Sequence, residues 1–187
     1  MVPSIVVVDN FLPDPGSVRH TALAQMFYAS DGYKGKRTRE QFLQDAYKVA
    51  FEDLLRIKIG KWGEHEMNGT FQVCTPEDPI VYHCDSQRYA GIIFLTPDAP
   101  PAAGTTLYRS KASKQRRFVD DPSMFAGGFY DSTLWETVDV IGNVYNRLVL
   151  WRGDLVHSAS CYFGQTVDNA RLFQMFFFDD VVDEAST

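Results

Sequence analysis

The spacing of apolar positions changes character near Met67. Upstream, Ser4 to Val8 is a short β-branched run that predicts a first strand. Asp14 is placed to cap a helix with Pro15 at its first position, carrying Val18, Ala22, Leu23 and Met26 on one side. Asp31 to Arg39, with four basic residues, predicts a solvated loop or, alternatively, a substrate-facing rim. Phe42, Ala46, Val49, Ala50, Leu54 and Ile57 recur at helical spacing, so a helix is expected over 40–57, stopped by Gly60 and buttressing the outside of a sheet. Downstream, short alternating runs predict strands over 69–74, 80–85, 89–95, 105–109, 147–151, 155–160 and 171–178. Turn-forming residues separate most of them, a rhythm that suggests a sandwich or jelly roll. Residues 111–143 interrupt the rhythm as an insertion, with a basic run over 111–117 and a short helix expected where Thr133 and Glu136 make a capping box. No linker or repeat divides the chain, so one domain is expected over 1–187: an N-terminal strand and supporting helices over 1–66, then a core over 67–180.

Composition narrows this picture in a few ways. With 187 residues, 45% hydrophobic and 14% aromatic, the chain can bury a sizeable core. A net charge of −6 argues against broad binding to nucleic acid or anionic membranes. The three cysteines, Cys74, Cys84 and Cys161, form no Cys-x-x-Cys pair, which argues against a disulfide scaffold or zinc ribbon and for a reducing, cytoplasmic location. Residues 1–9 lack a basic segment and a small-residue cleavage site, so no signal peptide is expected, and no apolar run approaches the ~20 residues that span a bilayer.

The candidate chemistry centres on Tyr82-His83-Cys84-Asp85-Ser86. In an extended chain the side chains at i and i+2 share a face, so His83 and Asp85 lean into one space while Cys84 points away. They make two thirds of a 2-His-1-carboxylate facial triad, the donor set that suits non-haem Fe(II). The pair alone is a weak signal. His157, on a short strand after the Gly153-Asp154 turn, is the candidate third ligand, whereas His20 and His65 are expected at the surface. Arg171 opens the apolar strand Leu172 to Phe178 and, if buried, needs an anionic partner. The bland alternative is an arginine at a strand end paired with a surface acid.

His83-x-Asp85, then His157, then Arg171 on the last strand resembles the Fe(II)/2-oxoglutarate-dependent oxygenase superfamily, over roughly residues 68–180. Gly91 to Leu95 followed by Gly104 to Tyr108 resembles its prolyl-4-hydroxylase-like branch, which includes small bacterial and phage oxygenase-like proteins. Two departures are Ala103-Gly104-Thr105 in place of a Gly-Gly-Thr-like turn, and an arginine where collagen prolyl hydroxylases use lysine. The resemblance implies a mainly β (α+β) double-stranded β-helix, jelly-roll or cupin-like, with the N-terminal helices outside one sheet. It implies His83, Asp85 and His157 as catalytic metal ligands for Fe(II). It implies 2-oxoglutarate with its distal carboxylate on Arg171, and ascorbate as an accessory reductant. The reaction it implies converts 2-oxoglutarate to succinate and CO2 while a substrate is hydroxylated. Tyr82, Thr106, Tyr108 and Gln72 are candidates for holding the cosubstrate. A small molecule or a peptide or protein is the expected partner, not nucleic acid or membrane, and the oligomeric state stays open. Arg109 to Gly128 is expected either as a lid hinged at Gly127-Gly128, with Lys111, Lys114, Arg116 and Arg117 steering an acidic substrate, or as a solvated loop. Two other readings remain: a cupin-like metalloprotein with a different reaction, and a non-catalytic β-sandwich that binds a partner.

Overall fold

Alternation of buried and exposed side chains builds two antiparallel sheets in the computed structural model, which describes residues 2–181. In chain order the elements are β1 (Ile5–Val8), α1 (Pro15–Leu23), β2 (Tyr28–Ser30), β3 (Tyr33–Arg37), α2 (Asp45–Leu55), β4 (Phe71–Cys74), β5 (Tyr89–Phe94), β6 (Thr105–Ser110), β7 (Trp135–Ile141), β8 (Leu148–Arg152), β9 (His157–Ala159) and β10 (Arg171–Phe178). The large sheet has the order β1-β8-β5-β10-β4-β3-β2, and the small one β7-β6-β9. The fold is mainly β with two α-helices, and among the described residues no helix is long and apolar enough to cross a membrane.

Period-2 patterning divides the large sheet's side chains between two cores. Leu172, Phe176 and Phe178 of β10, Leu148 and Leu150 of β8, and Phe71 and Val73 of β4 pack with Tyr47, Phe51 and Leu55 of α2. The opposite face turns Phe173 and Met175, Val149 and Trp151, and Ala90, Ile92 and Phe94 into a second cluster with Leu107 and Leu155. The cavity with the candidate chemistry opens on this second face. Arg171 stands opposite Cys74 in the β10–β4 ladder, at the end of that face.

Several expectations change. Asp14 does cap α1, its carboxylate accepting from Ser17 N at 3.0 Å, but Leu23 and Met26 are exposed and only Ala22 is fully buried. The second helix begins at Asp45, because the preceding residues are held extended by Thr38 N donating to Phe71 O and Phe42 N donating to Gly69 O. Its buried stripe is Tyr47, Phe51 and Leu55, with Val49 exposed: two large rings four residues apart bury more than the alanines do. The helix ends at Arg56, in the left-handed conformation, rather than at Gly60.

The basic segment over 31–39 is not a loop. It forms the β2–β3 hairpin that extends the large sheet beyond β4. The insertion contains β7, and Glu136 lies in that strand instead of capping a helix. Asp131 caps the 3-10 turn Ser132–Leu134 by accepting from Thr133 N at 2.8 Å. The basic run is largely neutralised. Arg109 and Lys114 pair with Glu136, Arg116 with Asp139, and Arg117 with Asp154. Backbone bonds from Phe118 N to Asp154 O and from Val156 N to Arg116 O tie it to the β8–β9 turn. None of these cations lines the cavity. That favours a tied-down surface segment over a cationic lid.

Candidate metal centre

Residues 80–85 form no regular strand. A single antiparallel bridge joins His83 to His157, with His83 N donating to His157 O at 3.1 Å and His157 N donating to His83 O at 2.9 Å. Directly paired residues on neighbouring chains project to the same face. The imidazole ring centroids are 4.3 Å apart. Asp85, two residues on, is held by its N–H donating to Gly153 O at 2.8 Å. A side chain at 153 would put a Cβ 2.0 Å from Gln87 O and 3.3 Å from the Asp85 Cβ, so the glycine lets the Asp85 segment lie against the β8–β9 turn. Cys84 turns its thiol to Asp154 O at 3.2 Å.

The donor atoms converge. His83 Nε2 lies 3.8 Å from Asp85 Oδ1, and His157 Nε2 3.3 Å from Asp85 Oδ2. One ligating atom from each residue falls within 4.8 Å of the others. Each Nδ1 sits 2.9 Å from the carbonyl two residues upstream, Val81 O for His83 and Leu155 O for His157. Those carbonyls fix the proton on Nδ1 and leave the Nε2 lone pair free for a metal. Burial pushes both imidazoles down, toward the neutral form that ligates. His157 and Lys34 add to this at His83, while Asp85 opposes it at His157. Burial pushes the Asp85 carboxyl up, against the pull of His157 and Lys34. Asp85 Oδ2 is buried with no hydrogen-bond donor, although a buried carboxylate oxygen normally has a partner. Two neutral nitrogens and an unsatisfied carboxylate suit a divalent cation such as Fe(II).

Arg171 shares this cavity, 3% exposed and without an acid partner. It donates to Ala103 O at 3.0 Å and Gly104 O at 3.1 Å, and lies near the rings of Phe94, Phe173 and Tyr162. Burial lowers its pKa, and no carboxylate stands among the groups that oppose this. The Tyr162 hydroxyl is also buried and unsatisfied. A buried guanidinium without a counter-charge, facing a cavity, is a receptor for an anion. The surface-acid pairing considered for Arg171 is absent among the described residues.

The cavity, about 860 Å³, is lined by His83, Asp85, His157, Arg171 and Gln72, by Lys34 and Arg37 of the basic segment for which a substrate-facing rim was the alternative reading, and by two groups that sequence reasoning did not place there, His65 and Thr105. Tyr82, Thr106 and Tyr108 do not line it. Tyr82 packs between Tyr108 and Trp135, Thr106 bonds Ser160, and Tyr108 bonds Ser158. Gln72 is occupied in holding the hairpin: its amide donates to Lys34 O at 2.6 Å and its carbonyl accepts from Arg37 Nε at 3.1 Å. His65, expected at the surface, stacks near Phe177 at the cavity wall. The signal for Lys34 and Arg37 was their place in a basic run interrupted by glycine, which fits a hairpin bent over a pocket as well as a loop.

No family model and no curated protein matches the sequence. Solved structures do match in three dimensions. A prolyl-4-hydroxylase from Pseudomonas putida aligns over 96% of this chain and 94% of its own, with a TM-score of 0.53 and 16% identity. HygX from Streptomyces hygroscopicus, with nickel, 2-oxoglutarate and hygromycin B bound, aligns over 95% and 83%, with a TM-score of 0.58 and 12% identity. This chain has their fold. At such identities the likeness is one of architecture, and the resemblance read from His83, Asp85, His157 and Arg171 holds at that level.

Proposed function

We propose that this protein is a non-haem Fe(II)- and 2-oxoglutarate-dependent dioxygenase that hydroxylates a small molecule or peptide. The observation that carries the reading is one cavity holding both a 2-His-1-carboxylate donor set and a buried arginine with no acid partner. A cupin-like metalloprotein of another reaction, or a silent binding module, leaves Arg171 unexplained. The capture of HygX with nickel and 2-oxoglutarate, in the same architecture, supports the pairing of metal and cosubstrate. The finer fold reading is a double-stranded β-helix: the His83 bridge adds a one-rung fourth member beside β9 in the small sheet. Three free thiols fit a reducing, cytoplasmic setting.

In this reading His83, Asp85 and His157 hold the iron, which supplies O2 activation coupled to oxidation of the cosubstrate to succinate and CO2. Val81 O and Leu155 O keep both imidazoles turned with Nε2 toward the metal. Trp151, whose ring centroid is 5.0 Å from that of His157, walls the site from water. Arg171 receives the distal carboxylate and so orients the other end toward the metal. Anaerobic titration with Fe(II) and 2-oxoglutarate tests the reading. A visible charge-transfer band is expected in the wild type and not in His83→Ala, whose far-UV circular dichroism should match the wild type. A folded wild-type protein that binds neither component would overturn it.

A further inference from the structure

The two cations that the cosubstrate reading leaves over are on the hairpin. Lys34 and Arg37 are three residues apart, an offset that a regular strand would send to opposite faces. Gly35 breaks the alternation. It adopts φ +69°, and a Cβ there would lie 2.5 Å from Val73 O. Asp78 holds the bend by accepting from Gly35 N at 2.9 Å. Both cations therefore line the cavity that contains the metal ligands and Arg171.

Neither finds an acid. Lys34 is partly buried, and its ammonium makes no hydrogen bond or ion pair among the described residues. Arg37 stacks over Tyr33 at 4.1 Å and uses Nε on Gln72, which leaves the rest of its fork for another acceptor. The acids lining the cavity are Asp31, Asp78 and Asp85. Asp31 is exposed in the hairpin turn. Asp78 accepts from Gly35 N and Thr75 N and makes no ion pair with either cation. Asp85 belongs to the metal. A divalent ion with Asp85 and Arg171 carries two positive charges, which one 2-oxoglutarate dianion cancels. Lys34 and Arg37 then remain without a direct acid partner, and a partly buried cation is stabilised by one. Beside them in the cavity wall, Phe129 and Tyr130 expose 48% and 67% of their surfaces.

We propose that Lys34 and Arg37 bind a carboxylate of the primary substrate, a small aromatic or otherwise apolar carboxylic acid whose body lies along Phe129 and Tyr130. The assignment rests on the cosubstrate reading. Arg37 provides a planar, two-pronged donor that Tyr33 and Gln72 hold in place, and Lys34 adds a point charge. Cavities of this size take a second molecule beside a small cosubstrate.

The test uses full-length protein loaded anaerobically with Fe(II) and 2-oxoglutarate, with calorimetric titration of phenylpropanoate, its isosteric amide phenylpropanamide, and the cationic phenylpropylamine. The wild type should bind the carboxylate at least about tenfold more tightly than the other two, a difference typical of one good charge-assisted contact. In Lys34→Gln/Arg37→Gln that preference should fall to within about twofold, and in Arg37→Lys it should be intermediate. Circular dichroism and melting check that each variant folds, and the single Lys34→Gln replaces the double variant if the latter does not. The proposal is overturned by no binding of the carboxylate, equal binding of amide or amine, a preference that survives in the double variant, or loss of the charge-transfer band as phenylpropanoate binds. Loss of 2-oxoglutarate from the double variant, as in an Arg171→Met control, would assign the two cations to the cosubstrate and likewise overturn it. A wild type that never takes up 2-oxoglutarate defeats the underlying function instead, and the first titration shows this.

Discussion

Arg171→Met separates the two things a buried cation can do, support the fold or anchor a ligand. The guanidinium donates to Ala103 O and Gly104 O. Each carbonyl has a second donor, Asn143 Nδ2 at 3.2 Å for Ala103 and Ser160 N at 3.1 Å for Gly104, so truncation orphans neither. These two bonds are worth about 1.5–3 kcal/mol each, and a third, to Thr105 Oγ1, is long at 3.4 Å and adds little. Against them stands relief from burying an ion without a counter-charge, an effective penalty of several kcal/mol. These nearly cancel, so the ligand-free variant should melt within about 4 °C of the wild type, on the order of 1 kcal/mol for a chain of this size. With cosubstrate the outcome differs. At a hundred times Kd, a ligand adds about 2.7 kcal/mol of stability, or roughly 5–11 °C. Truncating one partner of a buried charged pair costs about 2–5 kcal/mol. At the same concentration the shift then drops to about 1 kcal/mol or less. The assay is scanning calorimetry of metal-loaded protein with and without 2-oxoglutarate. A variant that keeps the full 2-oxoglutarate shift would place the anchor elsewhere. A ligand-free loss beyond about 10 °C would make Arg171 a structural residue and refute the reasoning.

Two further outcomes are expected. Gly153→Ala must push the Gln87 carbonyl away, at about 1–3 kcal/mol of stability, and because the displaced segment carries Asp85, metal affinity should fall about 10–100-fold in a nickel titration; unchanged affinity would show that Asp85 is positioned independently of that contact. Burial lowers the Lys34 pKa to about 8, so above that pH the native state holds fewer protons than the unfolded chain and Lys34 makes ligand-free stability rise with pH from about 8 toward 10.5. The difference between wild type and Lys34→Met in urea melts isolates this from tyrosine titration; a pH-independent difference would mean that Lys34 titrates as a free lysine.

What could be read from the sequence follows from how locally each feature is determined. His83 and Asp85 share a face through the geometry of three consecutive residues, and β10 opens at Arg171 because Leu172 to Phe178, apart from Gln174, are apolar on both faces. The hairpin over 28–37 has no such mark. Apart from Tyr28 and Tyr33 its residues are charged or small, and it becomes a strand only because Gln72 and Val73 of β4 present an open edge to Arg37 and Lys36. Thr105, rather than Thr106, reaches the cavity, although both lie on one strand. Neighbouring residues on a strand face opposite ways, and which of the two faces inward is set by pairing with β9 rather than by the strand's own sequence. Residues for metal and cosubstrate thus sit in short motifs whose chemistry is recognisable. The cations facing the remaining space reach it through one left-handed glycine and one amide bridge, which are properties of the assembled sheet. Recognition of the primary substrate, if it rests on Lys34 and Arg37, is set by that tertiary arrangement. A substitution at Gly35 alone would therefore disturb the placement of Lys34 and Arg37 while leaving the segments of His83, Asp85, His157 and Arg171 untouched.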